Sequence, residues 1–147
     1  MDAFKATVPK AEKGFRGRKV FTIETARRAL PLVRRIVIDV VGQYLLLLDV
    51  QKGYQELLRQ GPSEALEAAR DRRQEVAHRL SELADELDLI GCELKDYEIG
   101  MVDFPAIMDG RQVYLCWKLG EETIEYWHEV LEGPAGRRPL GARQATV

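Results

Sequence analysis

The sequence is poor in cysteine and histidine, with two of each among 147 residues. Two cysteines cannot build a disulfide framework, so a disulfide-stapled secreted scaffold is excluded and a reducing cytoplasm is the expected compartment. Any chemistry that needs a thiol or an imidazole therefore depends on four side chains: Cys92, Cys116, His78 and His128.

Charge of one sign is also lacking, because 22 lysines and arginines stand against 24 aspartates and glutamates, and the net charge is -2. Basic clusters occur at residues 16–19 and 70–73, but acidic residues balance them and aromatic residues are not interleaved. Nucleic-acid binding is therefore not expected. A phosphate-binding loop is excluded as well, since no glycine-rich segment ends in Gly-Lys-Ser/Thr.

Long uncharged hydrophobic runs are missing too. The most apolar stretch, residues 30–50, contains Arg34, Arg35, Asp39 and Asp49. Each of these charges would cost about 2.5–3.5 kcal/mol at the centre of a bilayer. The first twenty residues have basic side chains but no apolar core of a signal peptide. We therefore expect a buried helix, no membrane partner and a cytoplasmic location.

Apolar residues recur three and four positions apart in two long segments, residues 24–59 and 64–90. This spacing predicts two amphipathic helices. Thr22 suits the N-cap of the first helix, and the Gly-Pro-Ser segment at residues 61–63 ends it and caps the second. Because so short a connector makes neighbouring helices antiparallel, we expect a long, coiled-coil-like helical hairpin.

The C-terminal third predicts a different kind of structure. Residues 92–131 contain alternating apolar and polar side chains, with Asp109-Gly110 as a strong hairpin turn. We predict a small antiparallel β-sheet packed on the helical hairpin, followed by a short C-terminal helix that ends at residue 131. The fold class is therefore α+β.

The chain is long enough for one domain with one hydrophobic core. We place this domain at residues 19–140. Residues 1–18 are rich in lysine, arginine and glycine and are predicted to be a flexible basic tail, and residues 141–147 a second flexible tail.

These segments resemble a bacterial family catalogued as domain of unknown function 2203, over residues 20 to 140. The resemblance implies that several polar residues belong to a family pattern, and it implies no particular activity. The motifs that carry it are Lys95-Asp96, Val102-Asp103-Phe104-Pro105, Leu115-Cys116-Trp117, Gly120-Glu121, Trp127-His128, and Gly136-Arg137 with Pro139.

Some of these polar residues are of the types that bind divalent metal ions. On the predicted short helix, Glu121 and His128 lie along one line, and Asp96 and Asp103 are the nearest other carboxylates by pattern. One imidazole with two or three carboxylates suits a hard or borderline ion. The alternative is that these groups only stabilise the helix and the loops.

Other residues are assigned to binding or to packing. Arg137 is expected to pair with an internal carboxylate, Asp103 or Glu121, or with an anionic ligand. The aromatic side chains Trp117, Trp127 and Phe104 are expected to be structural.

Two further arrangements stay open. Glu-x-x-His occurs at residues 75–78 and 125–128, a spacing found in di-iron helical bundles. Cys116 would act as a nucleophile only if an imidazole such as that of His128 lay within hydrogen-bonding reach.

Two hypotheses about function follow. The first is a non-enzymatic domain that forms a homodimer or binds a protein partner, because a second apolar stripe remains on the first helix: Ile36, Val41, Leu45 and Leu48. The second is a small divalent-metal-binding protein or metal-dependent hydrolase, in which the ion activates water. The sequence leaves open whether the protein is an enzyme.

Overall fold

The computed structural model describes Phe15 and residues 17–141. The remaining parts of the two predicted tails lie outside the described residues. Two long helices come first: α1 spans Ile23–Gln60 and α2 spans Glu64–Ile90. Thr22 and Thr25 form a reciprocal capping box at the start of α1, and the Ser63 hydroxyl accepts from the Leu66 amide at the start of α2.

The two helices form the predicted hairpin. One side of α1 is buried along much of its length, and α2 contributes a matching buried stripe. The buried residues include Val33, Val37, Val40, Tyr44 and Leu47 of α1 and Val76, Leu80, Leu83 and Leu87 of α2, and all belong to one hydrophobic core.

A five-stranded antiparallel sheet follows, with its strands in the order β1-β2-β3-β4-β5. The strands are β1 Glu93–Asp96, β2 Met101–Met108, β3 Arg111–Lys118, β4 Tyr126–Glu129 and β5 Arg138–Pro139. Asp109 and Gly110 both have positive φ in the turn between β2 and β3, as a two-residue hairpin of this kind requires. The α+β class and the helical hairpin with its antiparallel sheet are confirmed.

The predicted short C-terminal helix is wrong. The segment around Trp127 and His128 forms β4, and residues Pro134–Gly136 beyond it form a 3-10 turn. The helical spacing included Leu131, whose side chain is 84% exposed. Without β4, the backbone groups along one edge of β3 would be unpaired, which favours a strand at this position. Tyrosine and tryptophan are also enriched in strands.

The sheet has two chemically different faces. The face towards the helices carries the predicted aromatic anchors, and Phe104, Trp117 and Trp127 belong to the hydrophobic core. Trp117 has no exposed surface, and its indole N–H donates to the Glu121 carbonyl at 2.9 Å. Because side chains alternate along a strand, Asp103 and the other neighbours of these anchors lie on the opposite face.

The apolar stripe predicted on the outer side of α1 is exposed only in part. Ile36 is buried in the domain's own core, whereas Leu45 is 54% exposed. Val41 and Leu48 are partly buried against the core. No helix in the described part of the chain has an apolar stretch long enough to cross a bilayer.

Candidate functional site

Three side chains from three neighbouring strands meet on the sheet face that points away from the helices. Asp103 of β2 pairs in register with Cys116 of β3, and His128 of β4 pairs with Tyr114, two residues before Cys116. One donor atom from each of Asp103, Cys116 and His128 lies within 4.8 Å of the other two. Their exposed fractions are 0%, 0% and 1%. The sheet register therefore creates a closed cluster of oxygen, sulfur and nitrogen donors.

Both ring nitrogens of His128 face oxygen atoms. Nδ1 lies 2.8 Å from the backbone carbonyl oxygen of Glu129, and Nε2 lies 2.8 Å from Asp103 Oδ2. A carbonyl oxygen only accepts, so Nδ1 carries a proton. A hydrogen bond between Nε2 and Oδ2 requires a second proton. The two side chains therefore share one proton between Nε2 and Oδ2.

The pKa of His128 reflects this pairing. Burial alone would lower it, because a buried imidazolium loses its hydration. The hydrogen bond and the attraction from Asp103, together with the hydrogen bond to the Glu129 carbonyl, outweigh burial and raise the pKa above its usual value. The proton between His128 Nε2 and Asp103 Oδ2 therefore lies in the buried interior of the cluster, out of contact with water.

The second carboxylate oxygen of Asp103 is different. Oδ1 is buried and has no hydrogen-bond partner among the described residues. A buried carboxylate oxygen of this kind loses its hydration, and the neighbouring Cys116 thiol, a weak donor, compensates only slightly. Oδ1 is therefore the atom of this cluster that most needs a ligand.

Cys116 is a protonated thiol in this environment. Burial and the neighbouring charge of Asp103 raise its pKa, and Arg137 opposes them only in part. His128 cannot serve Cys116 as a general base, because both of its nitrogens are engaged with oxygen atoms. The geometry therefore does not support the nucleophilic arrangement of Cys116 and His128.

A polar network closes one side of the cluster. Tyr114 donates to Glu93 at 2.7 Å, and Lys95 and Arg18 also pair with that carboxylate. Burial would raise the pKa of Glu93, but these partners together lower it. Phe15 packs edge-on against the Tyr114 ring, with 5.2 Å between centroids. Phe15 and Arg18 belong to the predicted N-terminal tail, yet both contact this face of the sheet.

Residues 19–140 match the family described as Uncharacterized conserved protein (DUF2203). The chain belongs to this family. Neither a curated protein nor a solved structure matches the chain. All three members of the buried cluster in this DUF2203 chain lie in the motifs that carried the resemblance, and the family description adds no activity.

The other predicted ligands of the DUF2203 chain have partners of their own. Glu121 accepts two hydrogen bonds of 2.7 Å from Arg137, whose guanidinium stacks 4.2 Å from the Tyr126 ring centroid. The expected internal pair of Arg137 is therefore with Glu121 and not with Asp103. Asp96 accepts from two backbone amides in the turn after β1. Neither Glu121 nor Asp96 belongs to the buried cluster.

Cys116 is the cluster member that the predicted ligand set missed. A signal was present, since counting back from the two-residue turn at Asp109-Gly110 places Asp103 opposite Cys116. The Glu-x-x-His matches lack the geometry of a di-metal site. His78 is largely exposed and lies beside Glu82, and His128 is on a strand instead of a helix.

Proposed function

We propose that this DUF2203 domain binds a divalent transition-metal ion through Asp103, Cys116 and His128. The observation that carries the proposal is the convergence of carboxylate, thiol and imidazole donors within 4.8 Å, all buried. Thiolate and imidazole ligands favour zinc-like ions, whereas magnesium and calcium prefer sites made of oxygen. The proposed set shares Asp103 and His128 with the ligands predicted from sequence and replaces Glu121 and Asp96 with Cys116.

The orientation of His128 supports the proposal. Its Nδ1–H donates to the Glu129 carbonyl, which fixes the ring with Nε2 directed at Asp103. Histidines that bind metal ions are commonly oriented in this way: one ring nitrogen binds the metal, and the other donates a hydrogen bond to a carbonyl or carboxylate oxygen. The unpartnered Oδ1 of Asp103 would gain a partner in the same step.

The charge balance also supports it. Without an ion, the His128–Asp103 pair with its shared proton has no net charge, and the Cys116 thiol is neutral as well. A divalent ion would displace the proton between Nε2 and Oδ2 and the thiol proton of Cys116, so the ion, two anionic ligands and a neutral imidazole again sum to zero. The buried face would therefore bind the ion without acquiring net charge, which avoids the large penalty of burying one.

The burial of the ligands favours a structural ion over a catalytic one. Structural zinc sites are closed by four protein ligands, whereas catalytic sites have three, the number found here, and an accessible water. Burial is the property that separates this cluster from a catalytic site. Each of the three side chains here has at most 1% of its surface exposed. We therefore propose metal binding as the function of this centre, and not hydrolysis of a substrate.

Cobalt titration of the untagged, full-length protein tests the proposal. A thiolate–cobalt bond gives a charge-transfer band in the near ultraviolet, and elemental analysis gives the number of ions per chain. We expect about one ion per chain, a band in the parent and in Cys92→Ser, and no band in Cys116→Ser. Cys92 is a matched control, because it is also buried and its pKa is raised to about 12 by burial. Protein without metal and without a cobalt band would refute the proposal.

We also propose that the domain self-associates. The supporting observation is that two large apolar side chains of α1, Ile38 and Leu45, are 50% and 54% exposed. Apolar side chains that recur along one side of a helix commonly pack against a second helix. Light scattering of the full chain at about 50 micromolar, a concentration suited to weak association, should give twice the chain mass. The chain mass itself would contradict self-association.

A further inference from the structure

A single row of side chains runs down the exposed side of α1. Its members, spaced alternately three and four residues apart, are Arg35, Ile38, Gly42, Leu45 and Asp49, and all five are exposed. Residues at this alternating spacing lie in one line along a helix and form the contact seam of paired helices. We call these five residues the α1 row.

The α1 row is complementary to itself when it is reversed. Arg35 and Asp49 each lie seven residues from Gly42, on opposite sides of it. Ile38 and Leu45 lie four and three residues from it. If a second α1 lies antiparallel with a two-fold axis at Gly42, basic Arg35 meets acidic Asp49 of the partner subunit. Ile38 meets the partner's Leu45, to within about 1.5 Å of helical rise.

Gly42 sits where the two helices would come closest. A glycine inside a helix is unfavourable relative to alanine, and nothing within the domain requires it here. A Cβ added at Gly42 would meet no atom within 4 Å. The missing side chain leaves room for another backbone to approach, which suits the crossing point of two helices.

The charged ends of the α1 row are available for an intermolecular pair. Within the described residues, neither Arg35 nor Asp49 forms a salt bridge or side-chain hydrogen bond. Other arginines of α1 are engaged: Arg27 donates to the Ile124 carbonyl, Arg28 pairs with Glu24, and Arg34 donates to the Glu122 carbonyl. A two-fold dimer would form the Arg35–Asp49 pair twice.

We infer that a second copy of this chain docks antiparallel on the α1 row, with the two-fold axis at Gly42. The inference rests on the proposed self-association and names its surface, its direction and its register. A symmetric dimer requires the same patch to be complementary to itself, and the order basic, apolar, glycine, apolar, acidic satisfies this condition. The charges at the two ends exclude the parallel pairing, which would place Arg35 beside the partner's Arg35.

Exchange of the two charges tests the register. Sedimentation velocity on the full chain should show dimer dissociation constants raised about tenfold or more in Arg35→Asp and in Asp49→Arg, since each variant replaces two attractions with two repulsions. The double variant should return towards the parent value. Asp71→Arg on α2 makes the same charge change away from the row and should leave the constant unchanged.

Cross-linking tests the position of the axis. Oxidised Gly42→Cys should form a covalent dimer, because the two copies of residue 42 meet at the axis. Gly53→Cys is the matched control: it is exposed on the same helix, and the two copies of residue 53 would be separated by roughly 33 Å of helical rise. Cross-linking of Gly53→Cys would indicate parallel helices and overturn the inference.

The outcomes separate this inference from the broader proposal. A parent protein that is monomeric at about 50 micromolar contradicts self-association itself. A parent dimer that neither charge variant weakens shows that self-association is real and that the α1 row is not its surface. A parent dimer weakened by both single variants and restored by the double variant supports the inference.

Discussion

His128 Nε2 and Asp103 Oδ2 share a buried hydrogen bond of 2.8 Å, and the two side chains are 1% and 0% exposed. The pair joins β2 to β4 across β3, so it links strands that do not hydrogen-bond to each other directly. Burial keeps both side chains out of contact with water. Stability and metal binding should therefore both depend on this pair.

Removal of the Asp103 carboxylate should be strongly destabilising. Asp103→Ala leaves the imidazole of His128 buried without its partner, and we expect the free energy of unfolding to fall by about 3–5 kcal/mol. Asp103→Asn should be milder, because the amide can donate to Nε2 of a neutral ring whose Nδ1–H still bonds the Glu129 carbonyl. Chemical denaturation of both variants measures the difference. Equal losses would show that the hydrogen bond itself contributes little.

The His128 pair should make stability fall as pH rises. Because the pKa of His128 is raised in the folded state, the contribution of the pair is complete below the unfolded pKa of about 6.5 and is lost as pH rises through the folded pKa. With a chelator present, the free-energy difference between the parent and His128→Gln should shrink steadily above pH 6.5. The same difference at every pH from about 6 to about 9 would contradict the raised pKa.

Zinc should raise the melting temperature through the buried cluster. An ion that binds only the folded state stabilises it by mass action. We expect the rise in the parent and its disappearance in His128→Gln. Glu121→Gln should retain the rise, although its own baseline is lower, because Glu121 pairs with Arg137 outside the cluster. If Glu121→Gln also lost the zinc-dependent rise in melting temperature, the ion would bind near Glu121, as the sequence predicts, and not at the buried cluster.

Trp117 should contribute more to stability than any exposed apolar residue. It has no exposed surface, lies in the core under Arg34 of α1 and donates to the Glu121 carbonyl. Trp117→Ala should lower the free energy of unfolding by about 3–5 kcal/mol, the range for a buried aromatic. Leu131→Ala is the control, because Leu131 is 84% exposed and should change stability little. Parental stability in Trp117→Ala would contradict its place in the core.

The sequence by itself determined the helical hairpin and the β2–β3 turn. Helix ends depend on local chemistry, and Thr22 and Ser63 cap α1 and α2 within one residue of the predicted starts. Asp109-Gly110 likewise favours its turn through the conformations of those two residues alone. Once that turn is placed, the pairing of Asp103 with Cys116 follows from counting along the strands.

Only the tertiary structure decided the state of residues 126–129 and the composition of the buried cluster. The local pattern favours a helix there, but the segment pairs with the edge of β3 and forms β4. This pairing places His128 beside Asp103. Arg137 directly follows the 3-10 turn, and its guanidinium pairs with Glu121. Strand pairing and ion pairing join residues that are distant along the chain, so their outcome depends on which partners the fold brings within reach.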